Sequence, residues 1–457
     1  MQQRNRAAYM ISPKKIELRE LPMPTAKPGE VILKVEYVGV CGSDVHFLET
    51  GVRKGKPFPL PFILGHECAG TVTEVGDGVK SIKVGERVCF EPQITCGKCV
   101  YCRSGHYNMC PDVVFPSTPP YDGMLRDYVA IPAENAYKLP DEVSTKEGAL
   151  IEPLAVGLSA AEKGEVTVGK TVVILGAGCI GLVTMMACKA MGASRVIMSD
   201  LYPKRLANAL RLGADVVINA AEEDAIQRVM ELTGGEGADV VFEVASNPVT
   251  AAQTVDMVRR CGIVVMVGNI NEKTPYRFMD LMYREGQIRT IYRYCNNFNT
   301  ALQAVASGRI DIKGIISHEF DFSNVQDAFD ESMNNRQNVI PPRYSTGILP
   351  AGRYQALRID LGGNARHGKN WWCVLYPGLC RSACGTYALP EENDLVCGGY
   401  VVRFKCVEWW QRVTASREDQ VLVETASPSQ ARSKDGEGKK RYGTPPHCAA
   451  YAVVEGV

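Results

Sequence analysis

The first third of the chain alternates apolar and polar residues over short runs. This period of two is clear in residues 31–35 and 71–75 and looser in Arg87–Phe90, and it is typical of half-buried strands. Turns such as Pro28-Gly29 and Gly76-Asp77-Gly78 separate the runs. The pattern predicts a β-rich barrel or sandwich over the first ~150 residues rather than a helical bundle.

From residue 169 onward, short apolar runs are separated by helical stretches. The six apolar runs are residues 171–175, 195–199, 216–218, 240–244, 263–267 and 288–292. One intervening helix is predicted over residues 203–212, because Pro203 lies at its first turn and Gly213 lies just beyond its end. Five crossovers that link six strands predict a doubly wound parallel sheet.

Composition and charge narrow the class of protein. The 457 residues are enough for roughly three domains, and 46% of them are apolar, as is ordinary for a protein with full cores. The 51 basic and 51 acidic residues cancel, so overall charge favours neither nucleic acid nor acidic lipid as a partner. No apolar stretch reaches the ~18 residues of a membrane span. Membrane, fibrous, disordered and disulfide-scaffold classes are therefore not expected.

A glycine-rich turn follows the first predicted strand of the parallel sheet and opens a helix: Gly176-Ala177-Gly178-Cys179-Ile180-Gly181. In such a turn the first glycine permits the bend, the second lets backbone amides approach a pyrophosphate, and the third allows close contact between helix and sheet. The helix N-terminus then offers N–H donors to phosphate oxygens. The motif predicts a dinucleotide site.

Asp200 lies at the end of the second predicted strand, nineteen residues after Gly181. A carboxylate there can accept hydrogen bonds from both ribose hydroxyls and repels a 2′-phosphate, which favours NAD over NADP. Arg205 leaves NADP open, because a nearby arginine could meet such a phosphate. The structural alternative for Asp200 is a helix-capping acid.

Four of the 17 cysteines lie within fifteen residues, as Cys96-x2-Cys99-x2-Cys102-x7-Cys110. Four thiolates at this spacing can surround one tetrahedral Zn²⁺ and leave no position for water, which is typical of a structural site. The alternative is an iron–sulfur cluster, because Cys110-Pro111 resembles the end of a ferredoxin motif, but that motif has three residues before its last cysteine where this chain has seven. The spacing favours zinc in a reducing compartment, and hence a cytoplasmic protein.

A second set of potential ligands is dispersed along the chain. It comprises Cys41, the run Gly65-His66-Glu67, and Glu152. Each residue alone has a structural explanation, since lone cysteines and histidines are most often packed core residues. Together they offer one sulfur, one imidazole and one or two carboxylates, which suits a zinc ion that keeps a position open for catalysis.

Taken together, these motifs resemble the zinc-containing medium-chain dehydrogenase/reductase superfamily, and most nearly its polyol dehydrogenases of the sorbitol (L-iditol) and xylitol type. The resemblance covers about residues 7–339 and also includes Ile151-Glu152-Pro153-Leu154 and Tyr292-Arg293-Tyr294-Cys295. It implies an α/β protein with a chaperonin-10-like catalytic domain at 1–153, which includes a zinc lobe at 93–112. A Rossmann domain at 154–292 and a return segment at 293–340 would follow.

The resemblance also implies roles for the matching residues. Cys41 and His66 match ligands of the catalytic zinc, with Glu67 or Glu152 as the third. Ser43 matches the hydroxyl that receives the substrate proton, and His46 matches the residue that passes it outwards. The implied cofactor contacts are Gly176, Gly178, Ile180, Gly181, Asp200, Arg205, Val267, Gly268 and Arg293. The implied substrate contacts are Phe47, Glu152, Arg293 and Tyr294.

Two departures from the family pattern concern the substrate and the C-terminus. Phe47 stands where sorbitol enzymes commonly have tyrosine, so one hydrogen bond to the sugar is lost. Pro341-Pro342 interrupts the segment where a closing strand is expected, and because proline cannot donate to a sheet ladder, we expect that strand to be missing. The atypical tail at 341–457 is interpreted as out-of-frame translation, a fusion, an accessory domain or a disordered segment.

The expected reaction is oxidation of a polyol to a ketose, with one catalytic and one structural zinc per subunit and NAD as the hydride acceptor. A threonine 3-dehydrogenase or 2,3-butanediol dehydrogenase remains an alternative within enzymes. A catalytically silent nucleotide-binding protein and an RNA-binding tail are alternatives from other classes. Family members are usually oligomers, so a homodimer or homotetramer is expected, with no nucleic acid or membrane as partner.

Overall fold

The computed structural model describes residues 4–270 and 272–334, and the backbone of 343–345, 395–397, 400–402 and 455–456. The chain divides into two compact units, Met1–Ala351 and Gly352–Val457. In the described part of the second unit, three short strands form one sheet. They are Leu395–Cys397, Tyr400–Val402 and Glu455–Gly456. The interpretations of the tail as disordered, out-of-frame or RNA-binding otherwise lie outside the described residues.

The N-terminal part of the first unit is rich in strands, as predicted. Its strands are β1 (Asn5–Ser12), β2 (Lys15–Leu21), β3 (Glu30–Gly39), β4 (Val52–Arg53), β5 (Lys56–Pro57), β6 (Phe62–Ile63), β7 (Glu67–Val75), β8 (Arg87–Phe90), β9 (Tyr128–Pro132) and β10 (Ala136–Lys138). Its helices are α1 (Gly42–Thr50), α2 (Val100–Arg103) and α3 (Thr145–Gly148), with 3₁₀ turns at Tyr107–Met109 and Ala133–Asn135.

The second part alternates strands and helices. Its strands are β11 (Thr171–Leu175), β12 (Arg195–Asp200), β13 (Val216–Asn219), β14 (Ala238–Glu243), β15 (Val258–Met266) and β16 (Gln287–Thr290). Its helices are α4 (Ile151–Lys163), α5 (Cys179–Ala190), α6 (Pro203–Arg211), α7 (Ala225–Leu232), α8 (Pro248–Met257), α9 (Phe278–Tyr283) and α10 (Phe298–Ala306).

The six strands form a parallel sheet in the order β13-β12-β11-β14-β15-β16. This is the doubly wound order in which a dinucleotide binds where the strand order reverses. All six predicted strands are confirmed, β11 with the predicted ends and the other five with shifted ends. The largest shift is in β15, which starts at Val258 because that residue already pairs with Ala238 before a change of register.

Successive residues of β11 enter different hydrophobic cores, because side chains of a strand alternate between the two faces. Val172 and Ile174 pack with α4 and α5, whereas Val173 and Leu175 pack with residues of α7 and α8. The sheet is therefore buried on both faces, as its uninterrupted apolar runs require.

The chain then returns to the β-rich part. The returning elements are β17 (Glu319–Asp321), α11 (Val325–Asn334) and 3₁₀ turns at Lys313–Ile315 and Phe322–Asn324. Phe322, Val325 and Phe329 are buried in the same hydrophobic core as strands β1, β3 and β7. The return segment thus completes the core of the N-terminal part.

The expectation that the closing strand is missing was wrong. A strand, β18 (Arg343–Ser345), pairs antiparallel with β3 and parallel with β17. The described strand begins at Arg343, the residue that follows Pro341-Pro342 in the sequence, and its three residues are not proline, so each of them can donate to a ladder. The strand order of this larger sheet is β10-β8-β7-β3-β18-β17, and β9 also pairs with β3.

Within the described ranges, no helix combines the length and the hydropathy that crossing a bilayer requires.

Candidate active site and metal centres

Three potential metal ligands from separate stretches of the chain come together. Cys41 immediately precedes α1, and His66 and Glu67 lie where the chain enters β7. The Cys41 Sγ, one ring nitrogen of His66 and one carboxylate oxygen of Glu67 all lie within 4.8 Å of one another. A thiolate, an imidazole and a carboxylate form a donor set that suits zinc with a position left open for substrate.

The turn that carries His66 depends on its neighbours. Gly65 has φ 94°, a conformation that favours glycine, and a Cβ there would lie 3.0 Å from the side chains of Leu125 and Val38. The backbone N–H of Gly65 donates to Ser117 Oγ at 2.9 Å. The turn is therefore held from both sides.

A carboxylate lies behind His66, on the first turn of α1. Asp44 Oδ2 is 3.3 Å from His66 Nδ1, and Asp44 Oδ1 accepts a hydrogen bond from the Ser117 hydroxyl. Burial lowers the pKa of His66, but the charges of Asp44 and Cys41 outweigh it and raise that pKa well above its usual value. A carboxylate on one ring nitrogen fixes the ring and leaves the other nitrogen for a metal.

The sequence patterns alone indicated no role for Asp44. The available signal was its position three residues after Cys41, which places it one helical turn from that ligand once α1 begins at Gly42.

Helix α1 also carries the residues expected to move the substrate proton. Ser43 is half-buried and His46 is exposed. Phe47, the residue that replaces tyrosine, packs edge-on against Phe58 with ring centroids 5.7 Å apart. Ser43 thus lies in the first turn of α1, two residues after Cys41 in the sequence, and His46 faces the solvent.

Glu152, the other candidate ligand, has different neighbours. It lies in the first turn of α4 and is buried. Burial and then the charge of Glu152 raise the pKa of the Tyr294 hydroxyl, and Glu152 also interacts electrostatically with Arg293. Among the described residues, the group of ligand atoms within 4.8 Å contains Glu67 and not Glu152.

Arg293 lies between two aromatic rings, and one of them also contacts the metal ligands. Its guanidinium carbon is 4.7 Å from the ring centroids of both Phe115 and Tyr292. Phe115 packs edge-on against His66 at 5.3 Å. Burial lowers the pKa of Arg293, and its Nη1 is buried with no hydrogen-bond partner. Among the described residues, no group accepts a hydrogen bond from this nitrogen.

The four clustered cysteines form a second group. Their Sγ atoms all lie within 4.8 Å of one another. Backbone N–H groups point at the sulfurs: Cys99 N to Cys96 Sγ and Cys102 N to Cys99 Sγ, each at 3.4 Å. Backbone hydrogen bonds from Lys98 and Cys99 lower the pKa of Cys96 to about 7. Amide donors that stabilise thiolates in a four-sulfur group fit a structural zinc.

The glycine turn connects β11 to α5. Gly176 has φ 115°, and a Cβ on Gly181 would lie 1.9 Å from the Gly176 carbonyl oxygen. Near Gly178, a Cβ would meet only Arg205 Nη1, at 4.0 Å. The first glycine therefore permits the backbone conformation of the turn, and the third permits close approach of the helix to it. The second leaves open space at the N-terminus of α5. Ile180, in the first turn of that helix, is half-buried.

Asp200 ends β12 next to this turn. Its Oδ2 accepts from Ala177 N at 2.8 Å, and its Oδ1 accepts from Tyr202 N at 3.0 Å. Arg205 Nη1 lies 3.7 Å from Oδ2. The carboxylate therefore orders the glycine turn itself, which is a structural use that the sequence pattern did not reveal.

Val267 and Gly268 follow β15 at the same edge of the sheet. Their backbone N–H groups donate to the Glu243 carbonyl at 2.9 and 3.0 Å. A Cβ on Gly268 would lie 2.6 Å from the backbone nitrogen of Ser246, so only glycine fits there. Glu243 is fully buried at the end of β14, and sequence analysis missed it.

Two family models match the two parts of this fold. The alcohol dehydrogenase GroES-like domain matches residues 27–141, and zinc-binding dehydrogenase matches residues 179–307. A third model, stage II sporulation protein R, matches residues 283–385. That match overlaps the second and runs past residue 334, where the continuously described chain ends.

Curated relatives cover most of the chain. An uncharacterised zinc-type alcohol dehydrogenase-like protein of Escherichia coli, YdjJ, is 46% identical over 339 residues, which are 74% of this chain and 97% of that protein. Sorbitol dehydrogenase of Bacillus subtilis is 38% identical over 332 residues, which are 72% of this chain and 94% of that protein.

Solved structures share the fold. An oxidoreductase of unknown specificity from Escherichia coli, ECK1772, has TM-score 0.71 and 44% identity over 75% of this chain and 99% of its own. The 2R,3R-butanediol dehydrogenase of Bacillus subtilis has TM-score 0.69 and 29% identity over 75% of this chain and all of its own. With both ligand groups assembled in this fold, the chain belongs to the zinc-containing medium-chain dehydrogenase/reductase superfamily, close to its sorbitol dehydrogenases, and is an oxidoreductase that uses zinc and a nicotinamide dinucleotide.

Proposed function

We propose that this dehydrogenase oxidises a secondary hydroxyl of a polyol to a ketone and passes the hydride to NAD⁺, with release of one proton. The observation that carries the proposal is the proximity of two sets of side chains. Cys41, His66 and Glu67 form the ligand group. Arg293 is linked to that group through Phe115 and offers a buried, unpartnered nitrogen.

We propose Glu67 as the third protein ligand and Glu152 as a substrate contact. The grouping of Glu67 with Cys41 and His66 supports the first assignment. The interaction of Glu152 with Tyr294 and Arg293 supports the second. Zinc and NAD, when bound, supply a Lewis acid for the reacting hydroxyl and an acceptor for the hydride.

The chain's own residues handle the proton and the remaining hydroxyls. Ser43 takes the proton of the reacting hydroxyl, and the exposed His46 passes it to water. Glu152, Tyr294 and Arg293 bind neighbouring hydroxyls, since a carboxylate accepts and a guanidinium donates hydrogen bonds. Phe47 presents an apolar ring packed on Phe58, so the hydroxyl of the usual tyrosine has no counterpart there.

NAD is proposed as the preferred dinucleotide. The carboxylate of Asp200 stands beside the glycine turn and would repel a 2′-phosphate. Arg205 lies 3.7 Å from that carboxylate, and this ion pair partly neutralises the positive charge that Arg205 could offer to a 2′-phosphate. If Arg205 instead served NADP, NADPH would bind more tightly than NADH, and measurement of both dissociation constants by fluorescence separates the two cases.

We propose that the four-cysteine group holds a structural zinc and that the protein works in the cytoplasm. Amide donors to the sulfurs support the first assignment. The cysteines of the described residues, including the buried Cys68 and Cys89, form no disulfides, which supports a reducing compartment. The domain limits of 153, 292 and 340 also remain proposals.

We further propose a homo-oligomer, a dimer or tetramer, built on the outer edge of the parallel sheet. Among the described strands, β16 ends the strand order and has no partner on its outer side. Beside it, α9 exposes four large apolar side chains. They are Phe278 (67% exposed), Met279 (55%), Met282 (58%) and Tyr283 (72%). A second copy of this chain would cover both features.

The second candidate is a 2,3-butanediol dehydrogenase, favoured by the structural likeness to such an enzyme. Butanediol has one hydroxyl besides the reacting one, so it would engage fewer of Glu152, Arg293 and Tyr294 than a polyol with several hydroxyls. Threonine carries a carboxylate of its own, which the carboxylate of Glu152 would repel. The cluster therefore favours a polyol.

Initial rates of NAD⁺ reduction with sorbitol, xylitol, L-iditol, L-threonine and 2,3-butanediol test the proposal. We expect the highest kcat/KM with one of the three polyols. A higher kcat/KM with threonine or butanediol would reject the polyol assignment. The same assay with NADP⁺ should give a lower kcat/KM than with NAD⁺.

A further inference from the structure

A buried carboxylate that the mechanism does not use lies next to the four-cysteine loop. Glu91 follows β8 and is 3% exposed. Its Oε1 accepts from the Tyr107 hydroxyl at 2.7 Å, and its Oε2 accepts from the Tyr137 hydroxyl at 2.8 Å. Tyr107 belongs to the loop between Cys102 and Cys110, whereas Tyr137 belongs to β10. One carboxylate therefore joins the cysteine loop to the large sheet.

The same carboxylate contacts residues 292–296, which we call the wall segment, through one intermediate side chain. Gln93 Nε2 lies 3.4 Å from Glu91 Oε1 and donates to the Tyr294 carbonyl at 2.9 Å. Asn135 Nδ2 donates to the carbonyls of Glu91 and Gln93, at 3.0 Å each. Both residues are thus held in place from the side of the sheet.

The cysteine loop also contacts the wall segment directly. Asn108 Nδ2 donates to the Tyr292 carbonyl at 2.9 Å. Asn296 Nδ2 donates to the Gly105 carbonyl at 2.9 Å, and Asn296 N donates to the Tyr107 hydroxyl at 2.8 Å. The Tyr107 hydroxyl therefore donates to the buried carboxylate and accepts from the wall segment at the same time.

The wall segment needs such support because of its backbone. Arg293 and Asn296 have φ 58° and 61°, in the left-handed region that residues other than glycine seldom adopt. Conformations of this kind persist where the surroundings hold them. The side chains so presented are those at the substrate site: Arg293 stacks on Phe115, and the Tyr294 hydroxyl is buried beside Glu152.

We propose that Glu91 and Tyr107 are positioning residues, through which the four-cysteine loop clamps the wall segment and holds Arg293 and Tyr294 towards the substrate. The inference rests on the proposed function, because it assigns those two side chains to the polyol. The proposal assigns Arg293 to the substrate rather than to the cofactor, so the clamp acts on substrate binding and not on the affinity for NAD. A displacement of about 1 Å in a positioning group is enough to lower the rate.

Two variants and one matched control test the clamp in the full-length, zinc-loaded protein. Tyr107→Phe removes the hydroxyl that bridges the carboxylate and Asn296 N. Glu91→Gln keeps the shape but offers one acceptor oxygen instead of two to the phenols. Tyr101→Phe is the control, because Tyr101 lies in α2 of the same loop and is 47% exposed.

Hydrogen–deuterium exchange followed by mass spectrometry measures how firmly the wall segment is held, and it does not depend on enzyme activity. In Tyr107→Phe we expect peptides that cover residues 292–296 to exchange about tenfold faster than in the unmodified protein, as loss of a buried hydrogen bond implies. Tyr101→Phe should leave that exchange unchanged. Elemental analysis should find two zinc ions per chain in every variant, so that metal loss does not explain the change.

Steady-state kinetics then distinguish a loss of substrate positioning from a general loss of folding stability. At a temperature well below unfolding, Tyr107→Phe and Glu91→Gln should raise KM for the polyol about tenfold, with a smaller change in kcat. The dissociation constant of NADH should stay the same. A lowered melting temperature with unchanged exchange and unchanged KM would overturn the proposal, as would a parallel rise in the dissociation constant of NADH. If the unmodified protein oxidises no polyol, the proposed function fails, whereas the exchange experiment still decides whether the clamp exists.

Discussion

Asp44 shows how a single residue prepares another for chemistry. It is completely buried and takes part in two interactions, one with Ser117 and one with His66. A buried carboxylate without partners would be costly, and these two interactions remove that cost. The contact between Asp44 and His66 also fixes the orientation of the imidazole ring. The position of the metal-facing nitrogen therefore depends on a residue that is not itself a ligand.

We expect Asp44→Asn to weaken zinc binding at Cys41, His66 and Glu67 by about 10- to 100-fold, because the amide cannot supply the charge that holds the ring. The four-cysteine group should remain loaded. Elemental analysis after graded treatment with a chelator measures both sites. Asp77→Asn, at an exposed turn, is the control. Equal retention of two zinc ions in both variants would contradict the prediction.

The ligand set shows what residue patterns could and could not predict. Cys41, His66, Glu67 and Glu152 were all named as candidates from the sequence, but their spacing left the choice between the two glutamates open. The distances group Glu67 with Cys41 and His66. Local spacing carries no information about which of two distant carboxylates reaches a common point.

At the scale of elements, the four-cysteine loop was the easiest feature to predict. All four residues lie within one short stretch, so the spacing alone restricts how they can meet, and their sulfur atoms do converge. The contacts of this loop with the wall segment were not predictable. Gln93 and Tyr294, for example, are 201 residues apart in the chain.

Replacement of one loop cysteine tests the structural zinc. Cys99→Ser should lower the melting temperature by at least about 5 °C, because a structural zinc contributes to folding directly. Cys261→Ser, at an exposed cysteine, should leave the melting temperature unchanged. Differential scanning calorimetry measures both. The same melting temperature in the two variants would argue against a metal in the loop.

Helix α9 offers a test of the proposed oligomer. The double variant Met282→Lys/Tyr283→Lys places two charges among exposed apolar side chains, and a desolvated charge at an interface opposes association. We expect its mass in sedimentation equilibrium to fall to that of a smaller assembly. Leu210→Lys, on the exposed side of α6, is the matched control and should not change the mass. A monomeric unmodified protein would refute the proposed interface.

At the scale of the whole molecule, the chain crosses between its two parts and returns. Strand β18 pairs Arg343, Tyr344 and Ser345 with Gly39, Val38 and Tyr37 of β3. The partner strand ends at Gly39, two residues before Cys41, so β18 supports the part of the sheet that leads into the ligand group. The two prolines suggested a missing strand because proline cannot donate to a sheet ladder. That rule concerns single residues and does not show at which residue the ladder begins.

Two truncations separate the closing strand from the tail. A chain that ends after Ala351 retains β18, whereas one that ends after Ile340 lacks it. Loss of its backbone hydrogen bonds removes about 2–3 kcal/mol, so the shorter chain should unfold about 5 °C lower and have a lower kcat. Thermal unfolding and initial rates measure this. Identical behaviour of the two chains would show that the strand contributes nothing.

The local sequence was sufficient for features that consist of neighbouring residues. Strand periodicity, the glycine turn and the cysteine loop follow from backbone preferences and short spacings, and those predictions agree with the observed elements. Contacts between distant stretches arise from packing, which a period of two or a glycine motif does not encode. The support of His66 by Asp44, the strand added at Arg343 and the hydrogen bonds of Glu91 therefore became visible only once the chain was folded.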